Sequence, residues 1–184
     1  MDISGEYRLS VPRQQAWNAL LDPDTLRSCI PGCESLERLD QDHYQARIKT
    51  AIGPVRATFD TELRIRDAKP PERYRLDGAG KGGAVGFGRG HADVTLDDED
   101  GGTVLRYTAA FQVGGRLAQL GSRLVLAATR KLADDFFEQL TKHIDSKAER
   151  IDKPSPSRAK TVLALTAAII ILAFFIWWLS TNTT

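Results

Sequence analysis

The chain has 184 residues, which is enough for one domain of ordinary size and a short additional segment. Its 25 lysine and arginine residues nearly balance its 24 aspartate and glutamate residues, so the net charge is +1. This balance gives no strong field for binding nucleic acid or a polyanionic substrate, and we expect no nucleic-acid partner.

The elements of residues 1–146 predict an α+β domain. Residues 2–9 alternate apolar and polar side chains as a strand does, and two short helical pieces follow, separated at Asp22 and Pro23. Six more strand-like segments, each bounded by turn residues, come next: 34–40, 43–52, 55–67, 73–82, 86–97 and 103–113. An antiparallel sheet curled around one long helix would bury the apolar faces of both.

The long helix is predicted from about Arg116 to Ile144, where apolar residues recur every three or four positions. Its predicted apolar face consists of Leu117, Leu120, Leu124, Ala128, Leu132, Phe136, Leu140 and Ile144.

Two cysteines, Cys29 and Cys33, occur in the segment CIPGC, after an N-terminus without the features of a secretory leader. We therefore expect free thiols in a reducing cytoplasm. No second ligand pair accompanies them, so the spacing predicts no metal site.

A glycine-rich segment, GAGKGGAVGFGRG, occupies residues 78–90 and matches a nucleotide-binding pattern. A phosphate loop must lead into a helix, whose N-terminus meets the anion. The residues that follow, HADVTLD, alternate as a strand. The context therefore excludes phosphate binding.

Strand parity gives the glycines a different role. Those of the first strand share the parity of Tyr74 and Leu76, and those of the second share the parity of Val94 and Leu96. Glycines on a core face indicate removed bulk, a bend or close backbone approach. Two interpretations remain open: the helix packs tightly on a bent sheet, or a cavity lies between them, open near 83–85. The predicted ligand-binding residues of such a cavity are Phe59, Tyr74, Gly78, Gly80, Gly82, Gly86, Gly88, Gly90, Tyr107, Phe111, Leu117, Leu120 and Leu124.

The chemistry predicted for this cavity is binding without catalysis. All four tyrosines fall on the inward parity of their strands, whereas no His, Cys, Asp, Glu or Lys does so in the clearly predicted strands. Acid–base or nucleophilic catalysis needs such a group beside the substrate. A few tyrosine hydroxyls would suit an apolar ligand that carries one or two carbonyls.

The C-terminal part predicts a membrane anchor. From Val162 to Leu179 the only polar residue is Thr166, which predicts a transmembrane helix over 161–180, followed by a short tail, 181–184. A basic linker rich in proline and serine, 147–160, precedes it. Positive charge before the span predicts that the N-terminal domain lies in the cytoplasm.

Four segments within residues 1–146 carry a resemblance to a known family: SGEYRLSVPRQQAWNALLDPDTLRSCIPGCESLERL, IGPVRATF, PPERYRLDGAGKGG and GGRLAQLGSRL. They resemble the G-subunit family of carbon monoxide dehydrogenase, which belongs to the START-like (SRPBCC) superfamily of helix-grip folds. Many members of the family end in a single membrane helix.

The resemblance implies a helix-grip cavity and association with a molybdenum hydroxylase of the carbon monoxide dehydrogenase type. The expected function is that of a membrane-anchored, non-catalytic adapter that recruits this enzyme and binds a lipophilic, quinone-like ligand. A quinone is the expected bound ligand, and no covalent cofactor is expected. Two alternatives stay open: an assembly factor for the metal centre of the dehydrogenase, acting through Cys29 and Cys33, and a cyclase-type enzyme.

Overall fold

The computed structural model describes the backbone of residues 1–152 and the side chains of residues 1–146. Residues Met1–Ala148 form one compact unit. The predicted membrane span and tail, 161–184, lie outside the described residues. Within residues 1–152, no helix combines the length and the apolar composition that crossing a bilayer requires.

The seven predicted strands are confirmed, and the order of elements is that of the predicted α+β domain. The strands are β1 (Asp2–Leu9), β2 (Cys33–Asp40), β3 (His43–Ile52), β4 (Val55–Lys69), β5 (Arg73–Lys81), β6 (Phe87–Glu99) and β7 (Gly102–Gly114). The helices are α1 (Arg13–Leu21), α2 (Pro23–Cys29) and α3 (Ser122–Asp152), with short 3-10 helices at Gly83–Val85 and Gly115–Leu120.

All seven strands form one antiparallel sheet in the order β1-β7-β6-β5-β4-β3-β2. Strands β2 to β7 are joined by successive hairpins, and β1 pairs with β7 at one edge. Helices α1 and α2 carry the chain from β1 at that edge to β2 at the other. The sheet is therefore spanned on one face by the two short helices and by α3.

The core lies between this face of the sheet and the helices. Leu105 of β7, Ala16 of α1 and Leu140 of α3 are fully buried and belong to one hydrophobic cluster. Burial of a leucine side chain stabilises a fold by roughly 1.5–3 kcal/mol, so these contacts hold α1 and α3 against the sheet.

Helix α3 differs from its predicted bounds. Residues Gly115–Leu120 form a 3-10 helix, and Gly121 has a φ of 83°, which interrupts helical backbone geometry before α3 begins at Ser122. The predicted apolar face is consequently wrong only at the start of α3, where Val125 is buried and Leu124 is 38% exposed. Further along the helix, Leu140 and Ile144 are buried as predicted. At its other end α3 continues to Asp152, into the predicted linker.

Candidate functional site: an apolar cavity between the sheet and the helices

A cavity of about 520 Å³ lies between the sheet and the helices. This volume falls in the range of small-molecule sites, roughly 300–1,000 Å³. Strands β3 to β7 supply one side through inward residues such as Leu63 and Val94. Leu20 and Leu26 of α1 and α2 and Ala133 of α3 are among the residues on the helical side.

Among residues 1–146, the lining contains no Asp, Glu, Lys, Arg, His or Cys. Its polar side chains are Thr50, Thr129, Tyr44, Tyr74 and Tyr107. An isolated charge brought into such surroundings would lose its hydration without gaining a partner. The cavity is therefore suited to neutral, mostly apolar molecules.

Most of the hydroxyls already have protein partners. The Tyr44 hydroxyl donates to the Leu21 carbonyl at 2.9 Å, and the Thr129 hydroxyl donates to the Val125 carbonyl at 2.9 Å. The Tyr107 hydroxyl interacts with that of Tyr7. These hydroxyls are consequently less available to a ligand.

Tyr74 differs from the other tyrosines of the cavity. It is 7% exposed, and its hydroxyl has no hydrogen-bond partner among the described residues. Its ring packs edge-on against Trp17, with 5.4 Å between the ring centroids. Burial raises the pKa of the Tyr74 hydroxyl above its ordinary value of 10.0, so it stays protonated at neutral pH.

Two of the predicted ligand-binding residues, Tyr74 and Tyr107, line this cavity. The others are not part of its lining: Phe59, Gly78, Gly80, Gly82, Gly86, Gly88, Gly90, Phe111, Leu117, Leu120 and Leu124. The opening predicted near 83–85 does not belong to this cavity and stays a prediction. The cavity lies further toward the opposite ends of β5 and β6.

Close packing explains why the glycine-rich end does not line the cavity. A Cβ placed on Gly82 would lie 2.7 Å from Cε1 of Phe59, and one on Gly90 would lie 2.4 Å from the carbonyl oxygen of Ala110. At Gly90 the obstacle is backbone, so no side chain fits there, whereas at Gly82 the ring of Phe59 would have to shift. The tight-packing interpretation therefore describes the backbone at Gly90. Three of the predicted residues, Gly78, Gly90 and Phe111, line a separate cavity of about 620 Å³ that also has charged residues in its lining.

The three predicted leucines are also placed elsewhere. Leu117 is buried in the 3-10 helix, and Leu120 is half-buried. Leu124 lies against Gly53, whose built Cβ would be 2.7 Å from Cδ2 of Leu124. Strand parity did not reach the lining residues of α2 and α3, such as Leu26 and Ala133, because these lie on helices.

The two cysteines lie outside the cavity lining. Cys29 is 2% exposed at the end of α2, and Cys33 is half-buried at the start of β2. Burial raises the pKa of both thiols above the ordinary value of 9.0, which disfavours the thiolate that binds metals. In the described part of the chain, no three His, Cys, Asp or Glu residues are grouped to hold a metal ion.

The sequence profile of one family, described as the G subunit of carbon monoxide dehydrogenase (CoxG), matches residues 5–145. A solved structure of a conserved protein from Geobacillus kaustophilus is 33% identical and has a TM-score of 0.75; the similarity covers 79% of this chain and 96% of that one. No protein among the curated sequences matches the chain.

More distant solved structures share the fold alone. A protein from Thermus thermophilus is 15% identical, with a TM-score of 0.62 over 80% of this chain and 99% of that one. The Zhui aromatase/cyclase from Streptomyces sp. R1128 is 11% identical, with a TM-score of 0.58 over 80% of this chain and 95% of that one. The expected START-like, helix-grip fold is thus confirmed. The matched unit accounts for 96% of the Geobacillus kaustophilus chain, so that protein shows the unit folding on its own, and Met1–Ala148 is compact in this chain.

Proposed function

The chain belongs to the G-subunit (CoxG) family of carbon monoxide dehydrogenase, and from this premise we propose that it is a non-catalytic adapter that binds a quinone-like ligand. In this proposal, residues 161–180 anchor it in the cytoplasmic membrane of a bacterium, with the compact domain in the cytoplasm. The domain recruits a molybdenum hydroxylase of the carbon monoxide dehydrogenase type. Its cavity holds the lipophilic ligand near the docked enzyme.

The observation that carries the proposal is the cavity of about 520 Å³ with a neutral, largely apolar lining. Burying apolar surface of a ligand there is favourable by about 25 cal/mol per Å². A quinone is apolar over most of its surface and has two neutral carbonyl oxygens. These features match the lining and its few hydroxyls.

The electron balance also suits a quinone. Oxidation of carbon monoxide with water to carbon dioxide releases two electrons and two protons, and a quinone takes up the same number to become a hydroquinone. A soluble dehydrogenase has no direct access to quinones in the bilayer. A membrane-tethered protein that holds one in a cavity would bring the oxidant to the enzyme.

A non-catalytic role fits the lining. Its polar side chains are hydroxyls, and the tyrosines among them have pKa values above the ordinary 10.0 because they are buried. General bases act best with pKa values near the working pH. The cavity is therefore better suited to holding a ligand than to transferring its protons.

Quenching of tryptophan fluorescence tests ligand binding. Trp17 is the only tryptophan within residues 1–148, and it contacts the cavity residue Tyr74. Quinones quench indole fluorescence at short range, so titration with 2,3-dimethyl-1,4-naphthoquinone should quench Trp17 in a saturable manner. The variant Ala133→Phe, which adds a ring to the lining, should weaken this binding at least tenfold. Quenching that never saturates, or is identical in the variant, would exclude binding in this cavity.

Cell fractionation tests anchoring and recruitment. In the source bacterium, the full chain should place carbon-monoxide-dependent dye reduction in the membrane fraction. A strain that produces only residues 1–148 should leave this activity in the soluble fraction. Equal distribution in both strains would rule out recruitment through the C-terminal segment.

A further inference from the structure

The cavity contains one buried hydroxyl that the fold leaves without a partner. Tyr74 is more than nine-tenths buried and lines the cavity, and its hydroxyl has no hydrogen-bond partner among residues 1–146. Buried hydroxyls in native proteins are nearly always paired, and an unpaired one is destabilising. A partner supplied by a bound molecule would remove this penalty.

The Tyr74 oxygen faces accessible space. Among the described side chains, the only fully enclosed polar atom without a hydrogen-bond partner is Nε2 of His43. The Tyr74 oxygen is therefore not sealed by protein atoms, although the residue itself is only 7% exposed. Because Tyr74 lines the cavity, we infer that this space belongs to the cavity.

The position of Tyr74 is fixed by the sheet. It lies on β5, between β4 and β6, and is paired with Val94 of β6. Its ring is held on one side by Trp17 of α1 at an interplanar angle of 88°. A side chain held in this way has a fixed position, as a group that orients a ligand must have.

We propose that the Tyr74 hydroxyl donates a hydrogen bond to a neutral carbonyl oxygen of the ligand and so selects ring ketones over hydrocarbons and carboxylates. This inference rests on the proposed function, in which the cavity binds a lipophilic molecule. It adds the group that recognises the ligand and the chemical class that the group recognises.

The direction of the hydrogen bond follows from the surroundings. Burial favours the protonated phenol, so Tyr74 has a proton to donate at physiological pH. A carboxylate could accept the same bond, but the lining has no Arg, Lys or His to offset its buried charge. A carbonyl needs no such compensation.

The test compares three ligands with similar fused rings: 2,3-dimethyl-1,4-naphthoquinone, 2,3-dimethylnaphthalene and 2-naphthoate. Both free carbons of the quinone ring carry methyl groups, so the thiols of Cys29 and Cys33, which are not in a disulfide, cannot add to that ring. Calorimetric affinities are measured for residues 1–148 of the wild type, Tyr74→Phe and Tyr7→Phe. Tyr7 is the matched control because it is not part of the lining and its hydroxyl donates to Asp134 at 2.6 Å.

We expect the wild type to bind the quinone most tightly and the carboxylate most weakly. Tyr74→Phe should lower the affinity for the quinone by roughly five- to tenfold, while its affinity for the hydrocarbon stays unchanged. In Tyr7→Phe, the ratio of the affinity for the quinone to the affinity for the hydrocarbon should be the same as in the wild type. Without ligand, Tyr74→Phe should melt at the same temperature as the wild type or higher, since it removes an unpaired buried hydroxyl.

Three results would overturn this inference but not the proposed function. Tyr74→Phe could lose affinity equally for quinone and hydrocarbon, it could lose affinity for neither, or the wild type could bind the carboxylate most tightly. A lower melting temperature of unliganded Tyr74→Phe would also overturn it, because the hydroxyl would then have a partner in the fold. Absence of binding of all three ligands to the wild type would overturn the proposed function, and the inference with it.

Discussion

Tyr44 lines the same cavity as Tyr74, but its hydroxyl has a role in the fold. It donates to the Leu21 carbonyl at the end of α1, and the side chain is 2% exposed. We predict that Tyr44→Phe lowers the free energy of unfolding by about 1 kcal/mol, because the Leu21 carbonyl loses a buried donor. Urea denaturation of residues 1–148 measures this loss.

The control for this prediction is Tyr74→Phe in the same fragment. It removes the same atom from a hydroxyl that has no protein partner among the described residues, so we expect no loss of stability. If both variants were equally destabilised, the difference between the two hydroxyls would be refuted.

At the scale of the strand, the glycines of β6 are not equivalent. A Cβ on Gly90 would lie 2.4 Å from the Ala110 carbonyl oxygen, whereas the nearest atom to one on Gly88 is 3.9 Å away. We predict that Gly90→Ala lowers the free energy of unfolding by about 1–3 kcal/mol through overpacking. Gly88→Ala should be neutral or stabilise by up to about 1 kcal/mol, because alanine restricts the unfolded chain.

Denaturant midpoints of the two alanine variants decide this prediction. Equal tolerance of alanine at both positions would show that the glycine-rich end has free space, as the cavity interpretation of the sequence supposed.

The second prediction at the scale of an element concerns which leucines of α3 face the core. Leu140 is fully buried, whereas Leu124 is 38% exposed, although both were predicted on one apolar face. Leu140→Ala should lower the free energy of unfolding by about 2–5 kcal/mol. Leu124→Ala should change it by no more than about 0.5 kcal/mol. A large loss in Leu124→Ala would mean that the start of the helix also packs as the sequence predicts.

These elements show how far the sequence predicts the fold. Strand parity and turn residues were sufficient for the strands, since each side of the sheet has a distinct environment. The start of α3 was missed because Leu117 and Leu120 continue the apolar spacing through a 3-10 helix, and only the backbone of Gly121 shows the break.

The candidate site was less predictable than the fold. Parity placed Tyr74 and Tyr107 on the inner face, and both line the cavity. It could not show that Phe59 packs over Gly82, or that the Tyr44 hydroxyl is paired while that of Tyr74 is not. Such facts depend on distances between elements far apart in the chain.

For the whole domain, the buried cysteine thiols and tyrosine hydroxyls predict a loss of stability at alkaline pH. Burial raises the pKa of the Cys29 and Cys33 thiols above 9.0 and those of Tyr44 and Tyr107 above 10.0. Below these ordinary values the groups are protonated in both states, and stability is complete. As pH rises above about 9, the unfolded chain loses protons that the folded domain retains, so stability must fall.

Urea midpoints measured from pH 7 to pH 11 should therefore decline from about pH 9. A double variant, Cys29→Ala and Cys33→Ala, should shift the start of the decline toward pH 10, the ordinary value of the tyrosines. A constant midpoint across this range would contradict the burial of these groups.

The central claim at the scale of the whole molecule is our proposal that the domain holds a quinone-like lipid in its cavity. Native mass spectrometry of residues 1–148, purified from a respiring bacterial host, tests it most directly. We predict a complex whose added mass equals that of a membrane quinone, lost in the variant Ala133→Phe. A domain that carries no lipid, or carries only fatty acids or phospholipids, would contradict the claim.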